Sequence, residues 1–255
     1  NPENMTTKHF LFIAVLCFSV ACSPKSWQVT KATSGKIALD ASTEAIADKS
    51  YENYIQPVKQ RVDAEMNVVI GKAAETMKAH KPESLLSNWN ADVYKQAAGD
   101  YLKSGVDIAI VNLGGLRTQI PAGNITVRNI FELMPFENEL VILWLKGDKL
   151  LELLNFFAEI GGQGVSGIRM KIENNKATNI LINNEPLDVN KTYSIATNDY
   201  LAGGNDKMLQ LAQYDKRINT GIKIRNMLLD YVKNATKNGE IIQSKLDGRI
   251  SKAGN

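Results

Sequence analysis

Three short segments carry residue types able to grip a small polar ligand. The first is Asn112-Leu113-Gly114-Gly115-Leu116-Arg117. It follows directly on the apolar run 107–111, and ligands in α/β sheets usually sit at strand exits. Paired glycines let a backbone approach a ligand or turn sharply. The planar cation of Arg117 suits two-point contact with phosphate or carboxylate. A Gly-Gly turn with an exposed arginine fits the same residues, and composition alone does not separate the two. The second segment is Pro135-Phe136-Glu137-Asn138, an aromatic followed by an amide. A phenylalanine belongs by default to a core and an asparagine to a turn. The third segment runs from Asn198 through Tyr200, Gly203, Gly204 and Asn205 to Asp206, again at a strand exit. Two glycine loops and an aromatic pair, Phe136 and Tyr200, would together make a slot for a flat heterocycle, because aromatic faces stack on bases of any kind.

Other chemistries are disfavoured. The 255 residues include two cysteines and two histidines. Cys17, Cys22 and His9 all fall in an N-terminal targeting segment, so the expected mature protein has no disulfide, no thiol nucleophile and one histidine, His80. One histidine cannot serve both a Ser-His-Asp triad and a separate His-rich metal site. His80 precedes Lys81-Pro82 and is expected at a helix C-terminus entering an exposed loop. The net charge of +3 comes without a long basic run, which argues against nucleic-acid binding.

The elements that must position these segments interleave helices and strands. Ser42 or Thr43 is expected to cap a first helix, with Glu44 and Asp48 in its first turns. In that helix Tyr51, Tyr54, Ile55, Val58, Val62 and Met66 recur at helical spacing and predict one buried face. Pro57 is expected to kink or restart it. Val68–Gly71 reads as a short strand or turn. A second amphipathic helix spans 83–104, with Leu85, Leu86, Trp89, Val93, Ala97 and Leu102 on one face and Gly105 stopping it. Residues 107–111 form a strand apolar enough for burial on both faces. A short helix at 129–133, a strand at 140–145 and a helix at 147–157 follow. Strands at 168–172, 178–182 and 192–196 resemble a meander, and 223–232 is a last helix. The fold class is α/β with α+β character: a mixed sheet with packed helices.

The N-terminus reads as an export signal. Lys8 supplies positive charge, and Phe10–Phe18 is an apolar stretch too short for a confident membrane span. Ser19-Val20-Ala21-Cys22 resembles a bacterial lipobox, which implies cleavage before Cys22 and lipidation of its thiol. An ordinary secretory signal or an uncleaved anchor are the alternatives. Residues 1–21 are thus expected as signal peptide and 22–43 as a lipidated tether, with a short strand possible at 28–31. Residues 44–252 form the domain, on an exported, lipid-anchored cell-envelope protein.

The ordered motifs resemble the C-terminal domain of 5′-nucleotidases. They are Asn-Leu-Gly-Gly-Leu-Arg, Ile125-Thr126, Pro-Phe-Glu-Asn, Leu145-Lys146-Gly147, Val165-Ser166-Gly167 and Asn-Asp-Tyr-Leu-Ala-Gly-Gly. Ser87–Asp92 resembles that domain's opening helix and Gly248-Arg249-Ile250 its ending. The resemblance implies that Asn112 and Arg117, with Gly114 and Gly115 between them, contact the nucleotide. It implies that Phe136 and Tyr200 sandwich the base, and it suggests that Asn138 reads it. An aspartate after the second Gly-Gly pair holds the ribose in this family. Here the spacing is one residue short, so Asn205 or Asp206 takes that place. A further cation expected on the opening helix has no clear counterpart, and Lys95 is a poor candidate.

Family enzymes carry divalent metals on a separate N-terminal metallophosphoesterase domain. This sequence has no Asp-x-His or Gly-Asn-His motif, so neither metal ligands nor catalytic residues are expected here. The favoured expectation is a substrate-recognition domain that works with a separate metallophosphoesterase chain in nucleotide catabolism. A non-catalytic nucleoside- or nucleotide-binding lipoprotein is the alternative, and a structural lipoprotein with a decayed site comes third.

Overall fold

The computed structural model describes residues 27–38, 40–44 and 48–252. The targeting segment, Cys22 included, lies outside the described residues. The chain forms two compact units, Asn1–Asn53 and Tyr54–Asn255. In the first, residues 27–38 have no regular structure, so the strand expected at 28–31 is absent. A single helical turn, Ala41–Glu44, follows. Asp40 caps it, its Oδ1 accepting from the Ser42 N–H at 2.9 Å. The helix expected to start at Ser42 or Thr43 begins instead as α1, Lys49–Met66. Asp48 is its cap: Oδ1 accepts from the Ser50 N–H at 2.8 Å. Pro57 lies inside α1, which continues through it. The expected buried face is not there. No residue of α1 is buried, and Tyr54 and Val58 are 81% and 54% exposed.

The second unit is built on a five-stranded sheet. Its strands are β2 (Ile108–Val111), β4 (Glu139–Lys146), β5 (Gly164–Ser166), β9 (Thr192–Asn198) and β10 (Lys216–Lys223). Their spatial order is β10-β4-β9-β2-β5. Only the central pair, β2 and β9, is parallel. The second sheet is mixed too, with β11 (Ile250–Lys252) parallel to β6 (Ile168–Glu173), followed by β7 (Lys176–Ile182) and β8 (Glu185–Pro186). A two-stranded ribbon pairs β1 (Val69–Ala73) with β3 (Gly123–Thr126), which leads into the short helix α3 (Val127–Leu133). The expected meander therefore holds for β6 and β7 but breaks at β9, which leaves for the central sheet; the unexpected two-residue β8 takes the place beside β7.

Side chains alternate across a strand, and that alternation splits the core in two. Ala109, Val111, Leu140 and Ile142 face one cluster, with Leu86, Trp89 and Tyr94 of α2 (Leu85–Leu102) and Leu228 and Val232 of α6 (Ile224–Lys237). Ile108, Ile110, Val141, Leu143 and Leu145 face the other, with Leu150, Leu153, Leu154 and Phe157 of α4 (Gly147–Glu159). The α4 residues recur at i, i+3, i+4 and i+7, one helix stripe. Each fully buried side chain of this size contributes about 1.5–3 kcal/mol. Burial on both faces explains why β2 reads as an unbroken apolar run. Two local expectations fail. Residues 67–80 form no helix, so His80 is an exposed loop residue. And α2 ends with Lys103 in the left-handed conformation, φ 57°, rather than at Gly105. Among the described residues no helix is long and apolar enough to cross a membrane.

Candidate functional site

Strand direction brings the three segments together. Parallel β2 and β9 leave the sheet at the same end, delivering Asn112 and Asn198. Antiparallel β4 enters at that end, with Leu140 opposite Asn198, so the loop 135–138 arrives beside them. Val111 lies opposite Gly164, which brings Gln163 to the same place, and Lys223 lies opposite Glu139. The result is a cleft of about 340 Å³. Of the expected residues it is lined by Asn112, Gly114, Gly115, Arg117, Phe136, Asn138, Tyr200 and Asp206. Met134 and Asn198 complete the lining. Gly203, Gly204 and Asn205 do not reach it.

Each wall has a local cause. The glycine loop is one 3-10 turn, Leu113–Gly115. Gln163 Oε1 accepts from the Leu113 N–H at 3.0 Å. A Cβ on Gly115 would lie 2.8 Å from Asn112 Oδ1, so a side chain here would push the Asn112 amide out of its present position. Arg117 is exposed; its Nη1 donates to the Gly114 carbonyl at 3.2 Å. Phe136 and Tyr200 are 40% and 43% exposed, which leaves part of each ring free to take up a flat partner. Tyr200 rides on the helical turn α5, Asp199–Ala202, capped by Asn198, whose Oδ1 accepts from the Leu201 N–H at 2.8 Å.

Of the two candidates left by the short spacing, Asp206 is the one that lines the cleft. Gly204 and Asp206 both adopt left-handed backbone, φ 82° and 54°, and this turns the Asp206 carboxylate into the cleft. Its Oδ2 accepts from Asn112 Nδ2 at 2.6 Å and its Oδ1 from the Tyr200 hydroxyl at 2.8 Å. That hydrogen bond, followed by lesser desolvation, raises the Tyr200 phenol above its ordinary value. Asn205 faces away: its Nδ2 donates to the Tyr200 carbonyl at 2.7 Å. Asp199 links the aromatic segments, its Oδ1 accepting from Asn138 Nδ2 at 3.0 Å, the Glu139 N–H at 3.1 Å and the Tyr200 N–H at 2.9 Å.

Lys95 lies elsewhere, donating from Nζ to Asn183 Oδ1 at 2.8 Å, and burial holds its amine below the ordinary lysine range. It lines a larger, open depression with Asp92, Lys103 and Ser166, which has no aromatic wall. Gln163, Asp199, Lys223 and Arg225 were not among the candidates from sequence, because each acts through a neighbouring backbone or side chain. The signal that locates them is strand register, which a single sequence does not display.

The description "5′-nucleotidase, C-terminal domain" matches residues 69–213. The chain belongs to that family. It is 26% identical to a 5′-nucleotidase of Vibrio parahaemolyticus over 196 residues, 75% of this chain and 35% of the relative. It is 25% identical to the protein UshA of Yersinia enterocolitica over 213 residues, 80% of this chain and 38% of the relative. A 5′-nucleotidase precursor from Thermus thermophilus superposes with a TM-score of 0.67 at 27% identity, covering 81% of this chain and 43% of that one. The chain thus spans little more than a third of the curated relatives' length. Among the described residues there is no group of three or more His, Cys, Asp or Glu placed to hold a metal ion. The described residues thus offer no ligand set for a two-metal centre.

Proposed function

We propose that this domain recognises the nucleotide in a phosphoester hydrolysis whose metals belong to a separate metallophosphoesterase chain. The carrying observation is the convergence in one cleft of two half-exposed aromatics, an arginine and a carboxylate. In this reading the base enters between Phe136 and Tyr200, with Asn138 at its edge. The Asp206 carboxylate accepts from the ribose hydroxyls, using lone pairs left over from Asn112 and Tyr200. Arg117 meets phosphate, its guanidinium having a single acceptor among the described residues. The 5′-nucleotidase relatives support the substrate class. The low identities leave the base open, so recognition is proposed for nucleotides as a class.

Residues 44–252 are the recognition domain in this proposal. They follow a signal peptide at 1–21 and a tether at 22–43, lipidated at Cys22, that holds the protein on the cell envelope. The deciding experiment measures phosphate release from a nucleotide panel with divalent metal, using the chain alone and mixed with a separately expressed metallophosphoesterase chain. Activity only in the mixture is expected. Activity from the chain alone would overturn the assignment of the metals to another chain. Silence in both, with nucleotide still bound, would make this a binding protein without catalysis.

A further inference from the structure

The loop carrying Phe136 has no regular structure, and the Phe136 ring is too exposed for core packing to set its position. Its backbone must therefore be held by something else. Three consecutive carbonyls of that loop meet three consecutive residues at the start of α6. The Phe136 carbonyl accepts from Arg225 Nη1 at 3.3 Å, that of Glu137 from Lys223 Nζ at 3.0 Å, and that of Asn138 from the Ile224 N–H at 2.9 Å. Arg225 does more. Its Nη2 pairs with the Glu137 carboxylate, and its guanidinium lies over the Phe131 ring, 4.4 Å from the centroid. The arginine side chain is only 13% exposed, although it sits at the surface of the loop. The hydrogen bond and charge of Arg225 hold the Glu137 carboxyl below its ordinary range.

We infer that Arg225 is a positioning residue for the aromatic wall at Phe136. The inference rests on the nucleotide reading of the same cleft. A guanidinium is suited to the task because one planar group contacts a carbonyl, a carboxylate and a ring face together; an ammonium is a point charge and cannot. Arg225 touches the nucleotide at no point in this scheme. It fixes where the Phe136 backbone lies, and Asp199 ties the adjoining Asn138 and Glu139 to the Tyr200 turn. The separation of the two aromatic walls is thus set from outside the cleft.

A double-mutant cycle on the full chain tests this, with adenosine 5′-monophosphate as probe in equilibrium dialysis and thermal midpoints recorded alongside. Arg225→Met should weaken binding roughly five- to thirtyfold, and Arg225→Lys by less. In a Phe136→Ala background Arg225→Met should cost nothing further, because the wall it positions is gone. Equal weakening in both backgrounds would show a general structural role and overturn the inference. If the methionine variant does not fold, the lysine variant carries the same cycle. Arg225 variants that bind like a competent parent would overturn this inference alone. A parent chain that does not bind the nucleotide would overturn the nucleotide reading and this inference with it.

Discussion

Two charged networks in this protein, one centred on a guanidinium and one on a carboxylate, contrast sharply. Around Arg249 every valence is used. Nη1 and Nη2 each donate to an Asp92 carboxylate oxygen at 2.8 Å, and Nε reaches Asp247 Oδ1 at 3.0 Å. Nη1 also meets the carbonyls of Val165 at 2.9 Å and Asn88 at 3.3 Å, and the side chain is 10% exposed. This cluster fastens the C-terminal strand β11 to helix α2 and strand β5. Around Asp206 the network is open: two donors, an exposed carboxylate, and an exposed Arg117 nearby with one acceptor. A saturated network holds a fold together, whereas an unsaturated one at a strand exit can accept a ligand.

The contrast should break most visibly at Arg249. Arg249→Met should cost about 2–4 kcal/mol of stability in a denaturant titration, toward the low end for a broken buried pair because Asp92 remains partly solvated. Nucleotide affinity per folded molecule should not change. At the other network the pattern should invert. Phe136→Ala and Tyr200→Ala should each weaken base binding by about 1–3 kcal/mol by calorimetry, with thermal midpoints close to the parent's. If both variants bind normally, the cleft is not the base site.

A pH series sharpens the same comparison. Burial alone would raise the Asp247 carboxyl, but the hydrogen bond and charge of Arg249, with Arg169 and Lys245, outweigh it and lower the value below 3.8. A depressed carboxyl contributes stability that is present above its unfolded value and lost as pH falls through its folded one. Stability should therefore fall below about pH 4, and less steeply in Arg249→Met. An acid limb unchanged by that substitution would remove Asp247 from the account. The smallest effect belongs to α1. Val58→Asp should change the stability of the isolated chain by no more than about 0.5 kcal/mol, because Val58 is 54% exposed.

Helices α1 and α2 show how far the sequence could be read. Both have 18 residues and apolar positions at helical spacing. Yet α2 buries nine residues and α1 none. Periodicity reports that a helix has two unlike faces; it does not report whether anything covers the apolar one. Strands β2 and β4 were legible because burial on both faces demands continuous apolar side chains. Strands β3, β5 and β11, of three or four residues, offer too little pattern to register. In the cleft, eight of the expected lining residues came from their motifs. Asn205 was an equal candidate with Asp206 until the left-handed turn at 204–206 placed one inside and the other out.

The sequence by itself determined the family, the mixed α/β class and the three segments that could hold a ligand. Those properties live in residue type, order and short-range spacing. Only the tertiary structure decided that the segments share one cleft, which carboxylate faces it, and that Arg225 holds the loop of Phe136. These depend on strand direction and register: a parallel pair, β2 and β9, opens both exits at one end, and antiparallel β4 and β10 bring Phe136 and Arg225 to it from positions 89 residues apart.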